Sequence, residues 1–183
     1  MTGDAWNIPN SLTLLRILLI PVFVGLMLYE RYEPALAVLL GAGLTDALDG
    51  TIARAANQRT KLGMYLDPLA DKLLLTSGFL TLSVLHLVPL WVVILVVSRD
   101  VILLAGTLLA QLTDSSVDIA PTLLGKGTTV LQLVYLVLAV AVVSRQIDIQ
   151  LLQPVLYLMV GLTVMSGAHY LYRGFARLNT GQV

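Results

Sequence analysis

Four carboxylates stand close together in a chain that is otherwise strongly apolar: Asp46, Asp49, Asp67 and Asp71. On a helix, Asp46, Asp49, Gly50 and Ala53 fall at i, i+3, i+4 and i+7 and share one face. Gly63, Asp67 and Asp71 fall at i, i+4 and i+8, on one face of the helix that follows. Two such faces turned toward each other gather four negative charges in a small volume, where they repel. Something cationic has to sit among them, and a hard divalent metal held by oxygen ligands is the simplest answer. The blander alternative is a solvated helix end or a structural ion pair. Carboxylates inside apolar spans favour the functional reading.

The elements that position these residues follow from composition. Of 183 residues 57% are hydrophobic and 12% charged, against about 25% charged in soluble domains. An all-α integral membrane protein is the expected class. Six segments approach or exceed the roughly 20 apolar residues a span needs: Leu12–Tyr29, Ala35–Ala53, Tyr65–Leu87, Leu90–Leu112, Pro121–Val143 and Leu151–Tyr172. The carboxylates sit at the end of the second and the start of the third. The short link at Leu87-Val88-Pro89 predicts an antiparallel pair of spans. Six spans place both termini on one side, together with Arg54, Arg59, Lys61, Lys72, Lys126, Arg173 and Arg177; the other side has Arg31 and Arg145. That asymmetry predicts cytoplasmic termini and a cytoplasmic-facing site in the cell membrane. A polar start followed by several spans predicts no cleavable signal. No repeat or long linker divides the chain, so residues 1–183 read as one domain. Cysteine is absent, which excludes disulfides, thiolate metal sites and a cysteine nucleophile. Eleven basic residues balance eleven acidic ones; no nucleic-acid partner is indicated.

The full spacing D-x2-D-G-x2-A-R-x8-G-x3-D-x3-D, from Asp46 to Asp71, resembles the signature of the CDP-alcohol phosphotransferases, which build phospholipids within membranes. Pro9-Asn10-x-x-Thr13-x-x-Arg16 is similar to that family's first-helix pattern, and Ser98-Arg99-Asp100 and Lys126-x-x-Thr129 extend the likeness over nearly the whole chain. The resemblance implies six transmembrane helices, a homodimer, lateral access for lipid, and displacement of CMP from CDP-diacylglycerol by an alcohol. It implies Mg2+ or Mn2+, two ions, on Asp46, Asp49 and Asp67 with Asp71 sharing, and a general base at Asp71. Gly50 and Gly63 would let the pyrophosphate approach the backbone. Arg54 offers a planar fork to a phosphate oxygen, and Ala53, Asn10 and Thr13 complete the expected nucleotide side.

For the acceptor phosphate the expected residues are Arg99, Lys126 and Arg16. Each has a structural alternative: an internal Arg99–Asp100 pair, a snorkelling Lys126 or Arg16, and for Asn10 a helix cap. His86 and His169 have no ligand-spaced partner. The Ile8-Pro9-Asn10-x-Leu12-Thr13-x-x-Arg16 opening, with Arg99 and Lys126, resembles the branch of the family whose acceptor is glycerol 3-phosphate, which implies phosphatidylglycerol phosphate as the product. Phosphatidylglycerol is the alternative, because Ser98-Arg99-Asp100 is similar to the CMP-forming cardiolipin synthases. An intramembrane prenyltransferase would want two separated aspartate blocks and more spans. A cation carrier would be opposed by Arg54.

Overall fold

A computed structural model describes the backbone over residues 8–55, 61–112 and 123–179, and side chains over 11–45, 69–106 and 124–172. Within those residues the chain is helical: α1 (Ile8–Leu28), α2 (Tyr32–Ala55), α3 (Lys61–Val84), α4 (Leu90–Leu112), α5 (Leu123–Ser144) and, after a 3-10 turn at Ile149–Leu152, α6 (Gln153–Asn179). The helix count agrees with the sequence reading. Three described stretches are long and apolar enough to cross a membrane: Ser11–Leu28, Leu124–Ser144 and Ile149–Tyr172; Tyr32–Thr45 is a shorter apolar stretch.

The ends of α1, α3 and α5 are built alike. Glu30, His86 and Gln146 adopt positive φ (57°, 57° and 56°). Around each, two backbone bonds close the last turn: Arg31 N–H to Leu26 O (2.8 Å) and Glu30 N–H to Met27 O (3.0 Å), with the matching pairs Leu87–Leu82 and His86–Ser83, and Ile147–Val142 and Gln146–Val143. This is the Schellman arrangement, which satisfies orphan carbonyls at a helix terminus. It ends α3 at Val84, short of the span boundary expected at Leu87. It also gives His86 a backbone role.

The helices sort into two compact units. The first comprises Met1–Leu87 with Leu136–Ile149, the second Val88–Tyr135 with Gln150–Val183; α5 contributes to both. In the first unit α1 packs on α2 and α3. The buried stripe of α1 is Thr13, Arg16, Ile20, Phe23 and Met27, the three-and-four spacing of one helical face. The helices it packs on bury Ala35, Leu39 and Ala42 in α2, where the two small alanines suit close helix approach, and Leu74, Leu75, Phe79 and Leu82 in α3. Gly78 of α3 lies so near Leu136 that an added Cβ would stand 2.6 Å from its Cδ2. In the second unit α4 packs on α6. Val92, Val93 and Val96 and then Arg99 and Asp100 are buried on α4, as are Leu152 of the 3-10 turn and Leu156, Met159, Thr163 and Ser166 along α6. Outward positions such as Leu18, Val22, Ile94, Val101, Val130, Leu158 and Met165 stay exposed and apolar, as expected where the surrounding solvent is lipid.

Candidate active site

The first unit holds the aspartate stretch. Asp46, Asp49, Gly50, Ala53 and Arg54 fall within α2, and Gly63, Asp67 and Asp71 within α3. The backbone therefore has the helical register that the spacing calls for. The side chains of all of these except Asp71 lie outside the described residues. So does that of Asn10, whose backbone is the third residue of α1, past the position of an N-cap.

Asp71 is described, and its surroundings were not anticipated. Arg16 Nη1 donates to Asp71 Oδ1 at 2.9 Å. The arginine side chain is 0% exposed and the aspartate 48%. Thr13, one turn before Arg16, is also fully buried. One sequence-derived reading of Arg16 needs correction here. A snorkelling side chain keeps its charged head in water, whereas this head is inside the protein. The guanidinium expected to meet the acceptor phosphate faces a carboxylate of its own chain. The clue in the sequence was the spacing. Arg16 shares the α1 face of Ile20 and Phe23, the face that must be buried.

The expected metal can be tested against the donor set. The aspartates offer only oxygen, the preference of a hard divalent ion. They lie on consecutive helices of one unit, and Asp71 keeps about half of its side-chain surface open. Among the described residues no group of three or more His, Cys, Asp or Glu is placed to hold a metal ion, and His86 and His169 are exposed. The donor set fits Mg2+ or Mn2+.

The second unit holds the other expected cations. Arg99 is 5% exposed and spans three helices. Its Nη1 donates to Asp100 Oδ1 (2.8 Å) and Thr129 Oγ1 (3.3 Å), and its Nη2 to Gly125 O (2.8 Å) and Ser166 Oγ (3.5 Å). The structural alternative for Arg99 thus has its geometry, with partners on α5 and α6 that the sequence did not reveal. One turn further along, Gln132 Nε2 donates to Thr163 Oγ1 (3.1 Å), and Thr163 donates to Met159 O (2.8 Å). Thr128 donates to Leu124 O (2.7 Å). Lys126, in the first turn of α5, is exposed. Beside it an apolar groove of about 640 Å³ runs between α5 and α6, lined by Leu124, Gly127, Leu131, Val134, Leu158 and Leu162 among others.

Comparison with known proteins shows the family. The CDP-alcohol phosphatidyltransferase family model matches residues 6–165. The human cardiolipin synthase (CMP-forming) is 47% identical over 104 residues, 56% of this chain and 35% of the human protein. A probable cardiolipin synthase (CMP-forming) of Drosophila melanogaster is 36% identical over 179 residues, 88% of this chain and 55% of the fly protein. The chain thus spans about a third to a half of the length of these relatives. The CDP-diacylglycerol--glycerol-3-phosphate 3-phosphatidyltransferase of Bacillus subtilis is 33% identical over 195 aligned positions, covering 96% of this chain and 98% of that protein.

Proposed function

Because the chain belongs to the CDP-alcohol phosphatidyltransferase family, we propose that it transfers the phosphatidyl group of CDP-diacylglycerol to glycerol 3-phosphate in phospholipid biosynthesis, releasing CMP and giving phosphatidylglycerol phosphate. The observation that carries the reading is Asp71, the last aspartate of the motif, held half-exposed by a buried arginine on a facing helix. The nearly end-to-end likeness to the Bacillus protein supports the acceptor.

In this reading the acceptor hydroxyl oxygen attacks the phosphatidyl phosphorus. A new P–O bond forms there as the P–O bond to CMP breaks, and Asp71 takes the hydroxyl proton. Gly50, Ala53, Arg54 and Gly63 bind the pyrophosphate side of the donor, with Asn10 and Thr13 toward the nucleotide. Two Mg2+ or Mn2+ ions held by Asp46, Asp49 and Asp67, with Asp71 sharing, would supply positive charge to the phosphate oxygens. Lys126 is the exposed cation for the acceptor phosphate, while Arg99 shapes the helices behind it. Residues 1–183 act as one domain, supported by a family match that runs through both compact units. Six spanning helices, cytoplasmic termini and site, and a homodimer complete the proposal; the orientation is supported by the uneven placement of Lys and Arg.

A second acceptor, phosphatidylglycerol, is favoured by two specific observations. The human cardiolipin synthase shares 47% identity over its aligned 104 residues, against 33% for the Bacillus protein, and this chain carries Ser98-Arg99-Asp100. The deciding experiment supplies purified protein with CDP-diacylglycerol and, in turn, labelled glycerol 3-phosphate, phosphatidylglycerol and inositol phosphate. The expected lipid is phosphatidylglycerol phosphate. Cardiolipin as the product moves the assignment to the second acceptor, and no CMP release with any acceptor removes the reading. Thorough chelation should stop turnover and added Mg2+ or Mn2+ restore it; turnover that survives chelation rules out the metal.

A further inference from the structure

We propose that Arg16 is a positioning residue for Asp71, setting the direction of its carboxylate from inside the protein, and that it does not bind the acceptor phosphate. The inference rests on phosphatidyl transfer as the reaction. The periodicity of α1 places Arg16 in line with Thr13, Ile20 and Phe23, on the face that packs against α2 and α3. A fully buried guanidinium is costly without a paired anion, and Asp71, 55 residues away in sequence, lies within a charge-assisted hydrogen bond of it at 2.9 Å. The two partners differ in exposure, 0% against 48%. The arginine is therefore the anchored member, while part of the carboxylate remains reachable from outside. The guanidinium already commits Nη1 to Asp71. The planar fork of an arginine fixes the angle of a carboxylate, which a lysine ammonium does less well. A base must lie within hydrogen-bond reach of the proton it takes, so its direction governs turnover more than it governs acceptor binding.

The test compares full-length wild type, Arg16→Lys and Arg16→Met in lipid–detergent micelles with CDP-diacylglycerol and glycerol 3-phosphate. A misplacement of about 1 Å costs about a hundredfold in rate, so Arg16→Met should lose about that much in kcat. Arg16→Lys, which keeps the charge and loses the fork, should lose roughly tenfold. KM for the acceptor should stay within about twofold in both, since no bond to it is removed. A kcat within threefold of wild type in Arg16→Met overturns the proposal, as does an acceptor KM that rises more than kcat falls. If Arg16→Met does not fold, Arg16→Lys decides by the same comparison. A second readout is independent of turnover: the thermal midpoints of Arg16→Met, Asp71→Asn and the double variant. The single shifts should sum to clearly more than the double shift, because both remove one interaction; additive shifts overturn the pairing. Wild type that releases no CMP removes the proposed function instead, and the thermal cycle still judges the pair.

Discussion

Two arginines are buried among the described residues, and they are used in opposite ways. Arg16 in the first unit reaches across to a carboxylate on another helix, and that carboxylate stays half open. Arg99 in the second unit pairs with its own sequence neighbour and with oxygens from α5 and α6, and its partner Asp100 is only 8% exposed. A buried charge needs a partner in either case. The difference lies in whether the partner retains a surface that a substrate can reach. The first arrangement suits chemistry. The second suits the holding of three helices, and it explains why a charged pair sits in the apolar α4.

The largest expected effect tests the open side of this contrast. Asp71→Asn keeps the shape of the side chain and removes the base. CMP release should fall by about 10²–10⁴-fold in protein that still purifies as folded. Near-normal release would end the assignment of Asp71 as the base. Next in size is the closed side. Arg99→Met leaves Asp100 buried without its cation and should destabilise by about 3–5 kcal/mol, read as a lower thermal midpoint. Adding Asp100→Leu should recover most of that loss, since an apolar pair can replace a buried ion pair with little cost. If Arg99→Met instead keeps its stability and raises KM for the acceptor, Arg99 serves the substrate and the contrast collapses.

Much of this was legible in the residues. The bounds of α4, Leu90–Leu112, are those read from the apolar run between Pro89 and the polar segment from Thr113. The aspartate spacing announces a helical register, and α2 and α3 carry it. What stayed hidden has a common cause: it depends on which helix faces which. Arg16 and Asp71 are partners across 55 positions, and Arg99 meets Ser166 across 67. Neither pair leaves a local pattern. The left-handed residues Glu30, His86 and Gln146 that close three helices were unforeseen for another reason. The usual mark of a left-handed C-terminal residue is glycine, and none of the three carries it.

The smallest expected effect compares how tightly each unit is packed. A Cβ added at Gly78 would stand 2.6 Å and 2.9 Å from the two Cδ atoms of Leu136, whose side chain is fully buried. One added at Gly106 would stand 2.7 Å from Cε1 and 2.8 Å from Oη of Tyr170, a residue that is only partly buried. Both substitutions to alanine gain about 1 kcal/mol of helix propensity. Against this, Leu136 has no room to retreat, and overpacking typically costs about 1–3 kcal/mol. The partly buried Tyr170 ring has more room to give than Leu136, and among the described residues its hydroxyl has no hydrogen-bond partner to lose. Gly78→Ala should therefore lower the thermal midpoint, while Gly106→Ala should leave it unchanged or raise it. The reverse order would mean that the second unit is the more rigid of the two. Its buried arginine network would then be the better-ordered frame, and the first unit, which carries Asp71, the more adaptable one.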